Sequence, residues 1–448
     1  MPDIDPNLSE TGNLARSVRG KVAWRILPLL FLLYVIAYLD RANVGFAKLR
    51  MKEDLQFSET VFGIGIALFF IGYIFLEIPG ALLVEHWSAR KWFARILVTW
   101  GFVSMSMAFV RTPTEFYLCR FLLGLAEAGF FPGVIVYFSH WFPRKDRARA
   151  MSAMLIGVPL SLALGAPVSA ILLHQDWFGL QGWQWVFLVE GAPAVLIGIA
   201  IPFLLPDRPR DARWLTTAER DWLEGELEAE RQATTGGGTI QLKQVFGMWN
   251  VWLLALALLA TNIGGYVFVF WLATVVKELV RVTGGAFDDT SVLLWTGLVY
   301  LFGVAGVVVS GWSSDRTGDR KGHCIVGQLG AALFLTLCVV PNQPWIVVFV
   351  WLCLAGFFAM FWFSPFWVLP TMTLTSSAAA VAIATINMFG NLAGAIGSPV
   401  VGIIKDAGFG DRAAMGFVAV TFTLGAVCVA LVRLPRVIPN PMTIPVQP

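Results

Sequence analysis

The chain has 448 residues, of which 57% are hydrophobic and only 14% are charged. An ordinary soluble domain carries about 25% charged residues, so this composition excludes a soluble globular protein. The net charge of +3 is small and does not imply nucleic acid as a partner. The 5 cysteines and 4 histidines show no spacing typical of metal ligands or redox pairs, so we expect neither a metal site nor a cofactor.

Apolar stretches of about 20 residues, the length that a helix needs to cross a bilayer, recur along the chain. They predict an all-α integral membrane protein with about twelve transmembrane helices. The polar first 23 residues show none of the features of a removable signal peptide, so we expect the first membrane helix to act as the targeting signal. The predicted helices, numbered 1 to 12, lie near residues 24–45, 60–84, 91–110, 114–138, 148–173, 184–205, 249–276, 290–311, 323–340, 344–369, 378–402 and 413–434.

Twelve crossings put both termini on one side of the membrane, and the basic residues indicate which side. The predicted topology places 22 of the 32 lysines and arginines on the side of the termini, and two, Arg41 and Arg120, inside helices. By the positive-inside bias, both termini are predicted to be cytoplasmic in a multi-pass protein of the inner or plasma membrane. We expect a monomer. The opposite side holds the remaining eight, which are Lys48, Arg50, Lys52, Arg111, Lys277, Arg281, Lys405 and Arg412.

A long charged segment divides the chain near its middle. Thr216 and Glu219 have the spacing of a capping box, which predicts the start of an amphipathic helix with Trp222, Leu223 and Leu227 available for one face. The glycines at 236–238 are expected to end it. We therefore predict an N-terminal bundle of residues 1–205, a cytoplasmic linker of residues 206–248 and a C-terminal bundle of residues 249–448.

Two patterns of the first half recur in the second. The loop from Ala81 to Lys91 has the spacing of the loop from Gly311 to Lys321, and Gly165-Ala166-Pro167-Val168 recurs as Gly397-Ser398-Pro399-Val400. The nearly equal offsets predict two pseudo-symmetric six-helix bundles in parallel orientation, a layout known for one class of transporter. The glycine and proline pairs are expected at the interface between the halves, although ordinary small-residue packing would also explain them.

The repeated loops combine an acid at a helix end with two bases. The acid could accept hydrogen bonds from a neighbouring helix N-terminus while the bases face the lipid headgroups, which would latch one packing of the helices. The alternative is an ordinary basic cytoplasmic loop. The predicted latch residues are Glu85, Arg90, Lys91, Asp315, Arg320 and Lys321.

Burying a charged side chain inside a membrane helix costs several kcal/mol unless the charge is paired or in contact with water. Asp40 and Arg41 lie in helix 1, and Arg120 and Glu127 lie two turns apart on one face of helix 4. A rise of 1.5 Å per residue puts Asp40 and Arg120 at similar depth, so the two can meet. Protonation of an acid would then free Arg120 for a substrate carboxylate. The alternatives are a static ion-pair network and, for Asp40 and Arg41, a wet helix end.

Polar and aromatic residues of other helices are further candidates. Asn387 and Asn391 lie i, i+4 in helix 11, where they could face a cavity or serve as interhelical glue. Tyr73 in helix 2 could line the same cavity. For most of the aromatic run at 361–367 in helix 10, contact with lipid or core packing is the favoured interpretation.

These residues resemble the major facilitator superfamily, specifically its anion:cation symporter family, over nearly the whole chain. The linker pattern from Leu205 and the run Gly182-Trp183-Gln184-Trp185 are similar to a branch of tartrate-type and related organic-acid transporters. The resemblance implies Asp40 and Glu127 as proton-coupling acids, Arg120 as the carboxylate anchor, and Arg41, Tyr73, Asn387 and Asn391 as substrate-binding residues. It rests on the segments Tyr38 to Gly45, Gly72-Tyr73 with Glu77-Ile78-Pro79, Arg120 to Gly129, Trp141-Phe142-Pro143 and Leu205 to Thr216.

We therefore predict a secondary transporter that couples protons to uptake of a small organic anion, a carboxylate or sugar acid, across the bilayer by alternating access. An exporter or antiporter of a small metabolite is the alternative, favoured slightly by the glycine and proline of helix 5. A membrane sensor or enzyme is a third hypothesis, but no nucleophile constellation is visible, and we expect no enzyme. Ala81, Ser88 and Ala273 depart from the family pattern, and the first two leave the latch of that loop in question.

Overall fold

The computed structural model describes residues 6–235, 245–282, 287–373 and 376–434, and the regular elements in these ranges are all helical. Within them, twelve helices are long and apolar enough to cross a membrane, which confirms the predicted number. They are numbered 1 to 12 in chain order: Asn13–Leu55, Glu59–His86, Ala89–Phe109, Pro113–Ser139, Arg144–Leu172, Gly182–Leu204, Trp249–Leu279, Asp289–Thr317, Arg320–Val339, Trp345–Phe366, Ala382–Asp406 and Gly410–Leu431.

The bundle has two ends. We call the end with the loops at 87–88, 140–143 and 205–216 the proximal end, and the end with the loops at 56–58, 173–181 and 407–409 the distal end. The predicted boundaries of helix 1 were wrong, because its helical structure begins at Pro6 and continues to Leu55. Charged residues end an apolar stretch, but lysine, arginine and glutamate are good helix formers and do not end the helix. Lys48 and Arg50 therefore lie within helix 1.

Helices 4 and 10, predicted as continuous, are interrupted. Helix 4 consists of Pro113–Glu127 and Phe130–Ser139, and Gly129 between them has a φ of 82°, a conformation that favours glycine. A Cβ on Gly129 would lie 2.7 Å from Cα of Gly80, so the two glycines let helix 2 approach the break. Helix 10 breaks after Phe361 within its aromatic run and continues as Phe363–Phe366.

The chain forms two six-helix bundles that meet along a seam, as predicted. The seam is made by helix 2 against helix 11, helix 5 against helix 8 and helix 1 against helix 7. The paired prolines lie on it: Pro399 packs on Gly63 of helix 2, and Pro167 packs on Gly297 of helix 8. Their neighbouring glycines instead face helices of their own half, since a Cβ on Gly165 would meet Phe46 and one on Gly397 would meet Ile263.

Ionic contacts close the seam at its distal end. Three ion pairs among the described residues join a lysine or arginine of one half to an acid of the other, and all three lie there. Asp406 at the end of helix 11 also accepts hydrogen bonds from the backbone N–H groups of Glu59 and Thr60, so it caps helix 2 across the seam. The ion pairs are Arg50 with Asp289 at 2.8 Å, Lys277 with Glu53 at 3.7 Å, and Lys405 with Glu59 at 3.8 Å.

The linker contains the predicted helix, Thr217–Thr235, which docks on the first half. The capping box is formed, with the Thr216 N–H donating to Glu219 at 2.9 Å. Leu223 and Leu227 are buried, and Lys21 of helix 1 forms an ion pair with Glu219. The predicted helix end at 236–238 lies outside the described residues, and the division at 205, 206–248 and 249 stays a prediction.

Leu223→Ala should release the linker helix from the first half. Leu223 is only 1% exposed, and truncation of a buried leucine costs about 2–5 kcal/mol. We expect faster protease cleavage within residues 217–235 of the purified protein than in the wild type. Glu224 is exposed on the same helix, so Glu224→Ala is the matched control. Equal cleavage rates of the two variants would contradict the docking.

Candidate functional site

Asp40 is buried between helices 1 and 3. Its carboxylate accepts hydrogen bonds from Trp100 Nε1 and from Ser104 Oγ of helix 3, and from Asn43 Nδ2 at 2.9 Å. All three donors are neutral. The predicted meeting of Asp40 with Arg120 is not an ion pair in the structure, because the rotation of helix 1 about its axis turns Asp40 towards helix 3.

Arg41 and Glu127 form a buried ion pair between helices 1 and 4. The guanidinium of Arg41 also lies 4.8 Å from the ring centroid of Tyr38 and 5.3 Å from those of Phe69 and Tyr73. A cation over aromatic faces gains electrostatic stabilisation. The sequence placed Glu127 beside Arg120, whereas the structure gives it Arg41 as its partner.

Arg120 is a buried cation without an ionic partner among the residues that the structure describes. It is 0% exposed, and its Nε donates a long hydrogen bond to the Gly65 carbonyl at 3.4 Å. Within the described part of the chain, the two terminal nitrogens Nη1 and Nη2 have no hydrogen-bond partner. The guanidinium carbon lies 4.9 Å from the Phe69 ring centroid. The interpretation of a static ion-pair network therefore does not hold for Arg120. Its planar fork is available to an anion.

Small residues bring the parts of this site together. A Cβ on Gly124, midway between Arg120 and Glu127 in helix 4, would lie 2.0 Å from the Phe69 carbonyl oxygen, and one on Gly72 would lie 2.4 Å from that of Phe121. Such glycines allow two membrane helices to approach closely. Helix 2 therefore carries Phe69 and Tyr73 against the charged face of helix 4, and Tyr73 is buried there.

Asn387 and Asn391 contact Glu77 of helix 2 across the seam. Asn387 Nδ2 donates to Glu77 Oε1 at 2.5 Å, and Asn391 Nδ2 lies 3.1 Å from both carboxylate oxygens. In this conformation both asparagines thus link helix 11 to helix 2, as one of the two predicted alternatives has it. Asn387 is only half-buried. Glu77 was not among the predicted site residues, although it lies within the predicted apolar helix 60–84 just as Glu127 lies within predicted helix 4.

Two further buried charged residues were not among the predicted site residues. Glu190 of helix 6 accepts a hydrogen bond from Ser169 Oγ of helix 5 at 2.6 Å, within the first half. Lys48 of helix 1 forms an ion pair with Glu59, and its Nζ lies 3.3 Å from the ring centroid of Trp271 across the seam. Lys48 lies beyond the predicted end of helix 1 near residue 45, but the helix continues to Leu55.

The loop of the first half contains ion pairs, but not in the predicted arrangement. The acid at the N-terminus of helix 3 is Asp207 of the linker, which accepts from the Arg90 N–H at 2.9 Å and from Ser88 Oγ, and pairs with the Arg90 side chain at 3.1 Å. Glu85 instead contacts His140 Nε2 at 2.8 Å. Burial, and then the charge of Arg208, lower the pKa of His140. Because a carboxylate accepts, Nε2 of His140 is the donor in this contact.

The corresponding loop of the second half behaves similarly. Arg320 pairs with Asp315 at 2.5 Å, while Asp319 accepts from the Gly322 N–H at 2.8 Å and caps helix 9. Lys321 Nζ donates to the carbonyls of Ala430 and Val432, which end helix 12. Lys91 of the first loop is exposed and lies 5.9 Å from the Trp87 ring centroid. In both loops, the acid that caps the next helix is a different residue from the predicted one.

Comparison with known proteins agrees with this architecture. The model of the family "Major Facilitator Superfamily" matches residues 30–398. A protein of Agrobacterium vitis named "Putative tartrate transporter" is 40% identical over 93% of this chain and 91% of its own length. The "Quinolone resistance transporter" of Acinetobacter baumannii is 36% identical over 93% and 95%. The crystal structure of a D-xylose-proton symporter has a TM-score of 0.72 at 17% identity, and the match covers 92% of this chain and 98% of that one.

Proposed function

Since this chain belongs to the major facilitator superfamily of membrane transporters, we propose that it is a proton-coupled symporter of a small organic anion, a carboxylate or sugar acid. The name of its Agrobacterium vitis relative supports this substrate class. We place it as a monomer in the inner membrane with both termini cytoplasmic, because 22 basic residues lie on the proximal side in the predicted topology. The two bundles, 1–205 and 249–448, would rock about the linker.

The observation that carries the proposal is the burial of the Arg120 guanidinium, whose two terminal nitrogens find no hydrogen-bond partner among the described residues. A buried cation without a partner is costly, and an anion with two coplanar oxygens offsets that cost by taking two parallel hydrogen bonds. A carboxylate has this geometry. Arg120 is therefore the substrate anchor, with Tyr73 nearby on helix 2 and with Asn387 and Asn391 as donors from the second half.

The acids give the site its coupling to protons. Protonation of Glu127 removes the charge that holds Arg41, so Arg41 becomes a second cation for the substrate. Asp40 is met by neutral donors alone, so its charge is not balanced by a paired cation and it is the second proton carrier. This differs from the sequence-based scheme, in which the proton freed Arg120.

The closed distal seam is one of the two states that alternating access requires. Opening on that side must break the ion pairs of Arg50, Lys277 and Lys405 with the other half. The proximal loops supply the opposite restraint, and Glu85, Arg90, Lys91, Asp315, Arg320 and Lys321 act there as a latch. Arg90 pairs with Asp207 of the linker, which ties the first-half loop to the segment between the bundles.

Transport into proteoliposomes tests the direction of coupling. With a proton gradient directed inward and radiolabelled tartrate or another carboxylate outside, we expect accumulation above the external concentration that collapses when a protonophore is added. The name of the Acinetobacter baumannii relative and the glycine and proline of helix 5 favour an exporter as the second candidate. Gradient-driven efflux of preloaded substrate, without accumulation, would establish that candidate and exclude symport.

A further inference from the structure

Glu77 is a buried acid that connects the two halves through amide groups. It is 8% exposed, and its carboxylate takes the side-chain N–H groups of Asn387 and Asn391 from helix 11. It forms no ion pair with any described residue. The nearby Arg41 and Glu127 are paired with each other. The negative charge of Glu77 is therefore met by neutral donors of the opposite half.

The register of helices 2 and 11 brings Glu77 next to Asn387 and Asn391. Gly63, Phe70 and Glu77 are seven residues apart and share one face of helix 2. A Cβ on Gly63 would lie 2.6 Å from the Ser398 carbonyl oxygen, and one on Gly394 would lie 2.1 Å from the Phe70 ring. Helix 11 runs antiparallel along that face, so the next contact in the series places Asn387 and Asn391 beside Glu77.

The amides that bind Glu77 are the groups proposed to bind substrate. Glu77 lies nine residues before the end of helix 2, so about 14 Å from the proximal end and far from the distal ion pairs. A substrate that contacts Arg41, whose guanidinium lies 5.3 Å from the ring of Tyr73 one turn before Glu77, needs donors from the second half to bridge the seam. In the structure the side-chain N–H groups of Asn387 and Asn391 contact a carboxylate of the first half, that of Glu77.

We propose that Glu77 is a tethered competitor of the substrate: its carboxylate bridges the seam in the empty transporter, and substrate binding displaces it from Asn387 and Asn391. Glu77 is a specificity-determining residue rather than a substrate ligand. Only a solute whose own acceptors replace this carboxylate gains the two amides. The inference rests on the proposed function, because it takes the substrate to be an organic anion.

Removal of the charge should strengthen substrate binding. In Glu77→Gln the amide donors face a weaker, neutral acceptor of the same shape, so the substrate displaces it more easily. We expect a Kd lower by about 10-fold, the effect of weakening one charge-assisted hydrogen bond. The probe is whichever carboxylate of a panel including tartrate stabilises the wild type in a thermal-shift assay. Glu190→Gln, which removes another buried acid bonded within the first half, should leave Kd unchanged.

A double-mutant cycle separates displacement from a general effect on the site. If Glu77 competes for the asparagines, Glu77→Gln should raise affinity in the wild type but not in Asn387→Ala/Asn391→Ala. An equal gain in both backgrounds overturns the proposal. So does an unchanged or weaker affinity of Glu77→Gln, which is what a direct substrate ligand would show.

A ligand-independent measurement keeps this test separate from that of the proposed function. Spin labels at His86→Cys and Thr317→Cys, exposed proximal positions of the two halves, report opening of the seam on the side nearer to Glu77 by pulsed electron resonance. Cys119 and Cys428, the two cysteines that are not fully buried, are first replaced by serine. Without ligand, Glu77→Gln should add a population with longer distances. An unchanged distance distribution would refute the role of Glu77 as a bridge between the halves. Failure of every carboxylate to bind the wild type would refute only the proposed substrate class.

Discussion

Arg120→Ala is expected to abolish binding of the substrate anion. The residue is fully buried, and its two free terminal nitrogens can make two charge-assisted hydrogen bonds to one carboxylate. Each such bond contributes about 1.5–3 kcal/mol, so the loss of both should raise Kd by more than about 100-fold. Isothermal calorimetry or a thermal-shift titration of the purified variant measures this change.

Two further substitutions show whether the loss is specific to the anion. Arg120→Lys keeps the charge but not the planar fork, and we expect an intermediate affinity. Arg120→Met removes an unpaired buried cation and replaces it with an apolar side chain, so its unfolding temperature should equal or exceed that of the wild type. Wild-type affinity in Arg120→Ala would refute the role of Arg120 as anchor.

Glu127→Gln is expected to stop proton-driven accumulation while preserving exchange of substrate between the two sides. The variant cannot take up or release the coupled proton at this position, but its neutral side chain imitates the protonated acid that releases Arg41. Net uptake in proteoliposomes with an inward proton gradient should fall to the level of passive equilibration. Counterflow, with unlabelled substrate inside and labelled substrate outside, should continue.

The control for this variant is another buried carboxylate of the same bundle. Glu190 bonds only to Ser169 among the described residues and does not touch Arg41 or Arg120. Glu190→Gln should therefore accumulate substrate as the wild type does. Gradient-driven accumulation by Glu127→Gln would exclude Glu127 as a coupling acid, and loss of counterflow would show that it is needed for the movement of the halves.

The sequence sufficed for the architecture because membrane helices are defined by apolar length, which is a local property. It identified Arg120, Glu127, Asp40 and Arg41 because charges in apolar stretches are rare. The sequence did not predict correctly which of these charges form ion pairs. The partner of Glu127 depends on how helix 1 is rotated about its axis, and the depth of a residue in the membrane does not determine that rotation. Helix 1 turns Arg41 towards helix 4 and Asp40 towards Trp100.

Long-range contacts explain the remaining differences. Asp207 caps helix 3 from the linker, more than a hundred residues away, so no spacing within the first loop could indicate it. The contact of Glu77 with Asn387 and Asn391 spans both halves and follows from the glycine-mediated approach of helices 2 and 11. Glu77 itself was within reach of the criterion that found Glu127, and a complete count of charges in apolar stretches would have included it.

Among the described residues, the lysine and arginine ion pairs that join the two halves lie at the distal end, so opening at that end should depend on dissolved salt. Arg50 and Lys277, which pair with the other half at the distal end, are partly exposed to the medium there. Ions screen such pairs over about 8–10 Å at physiological strength. Electrolyte added to the distal compartment should therefore hasten opening on that side, whereas the same addition to the proximal compartment should leave its rate unchanged. Under the uptake proposed above, the transporter would thus sense the ionic strength of the compartment from which it collects its substrate.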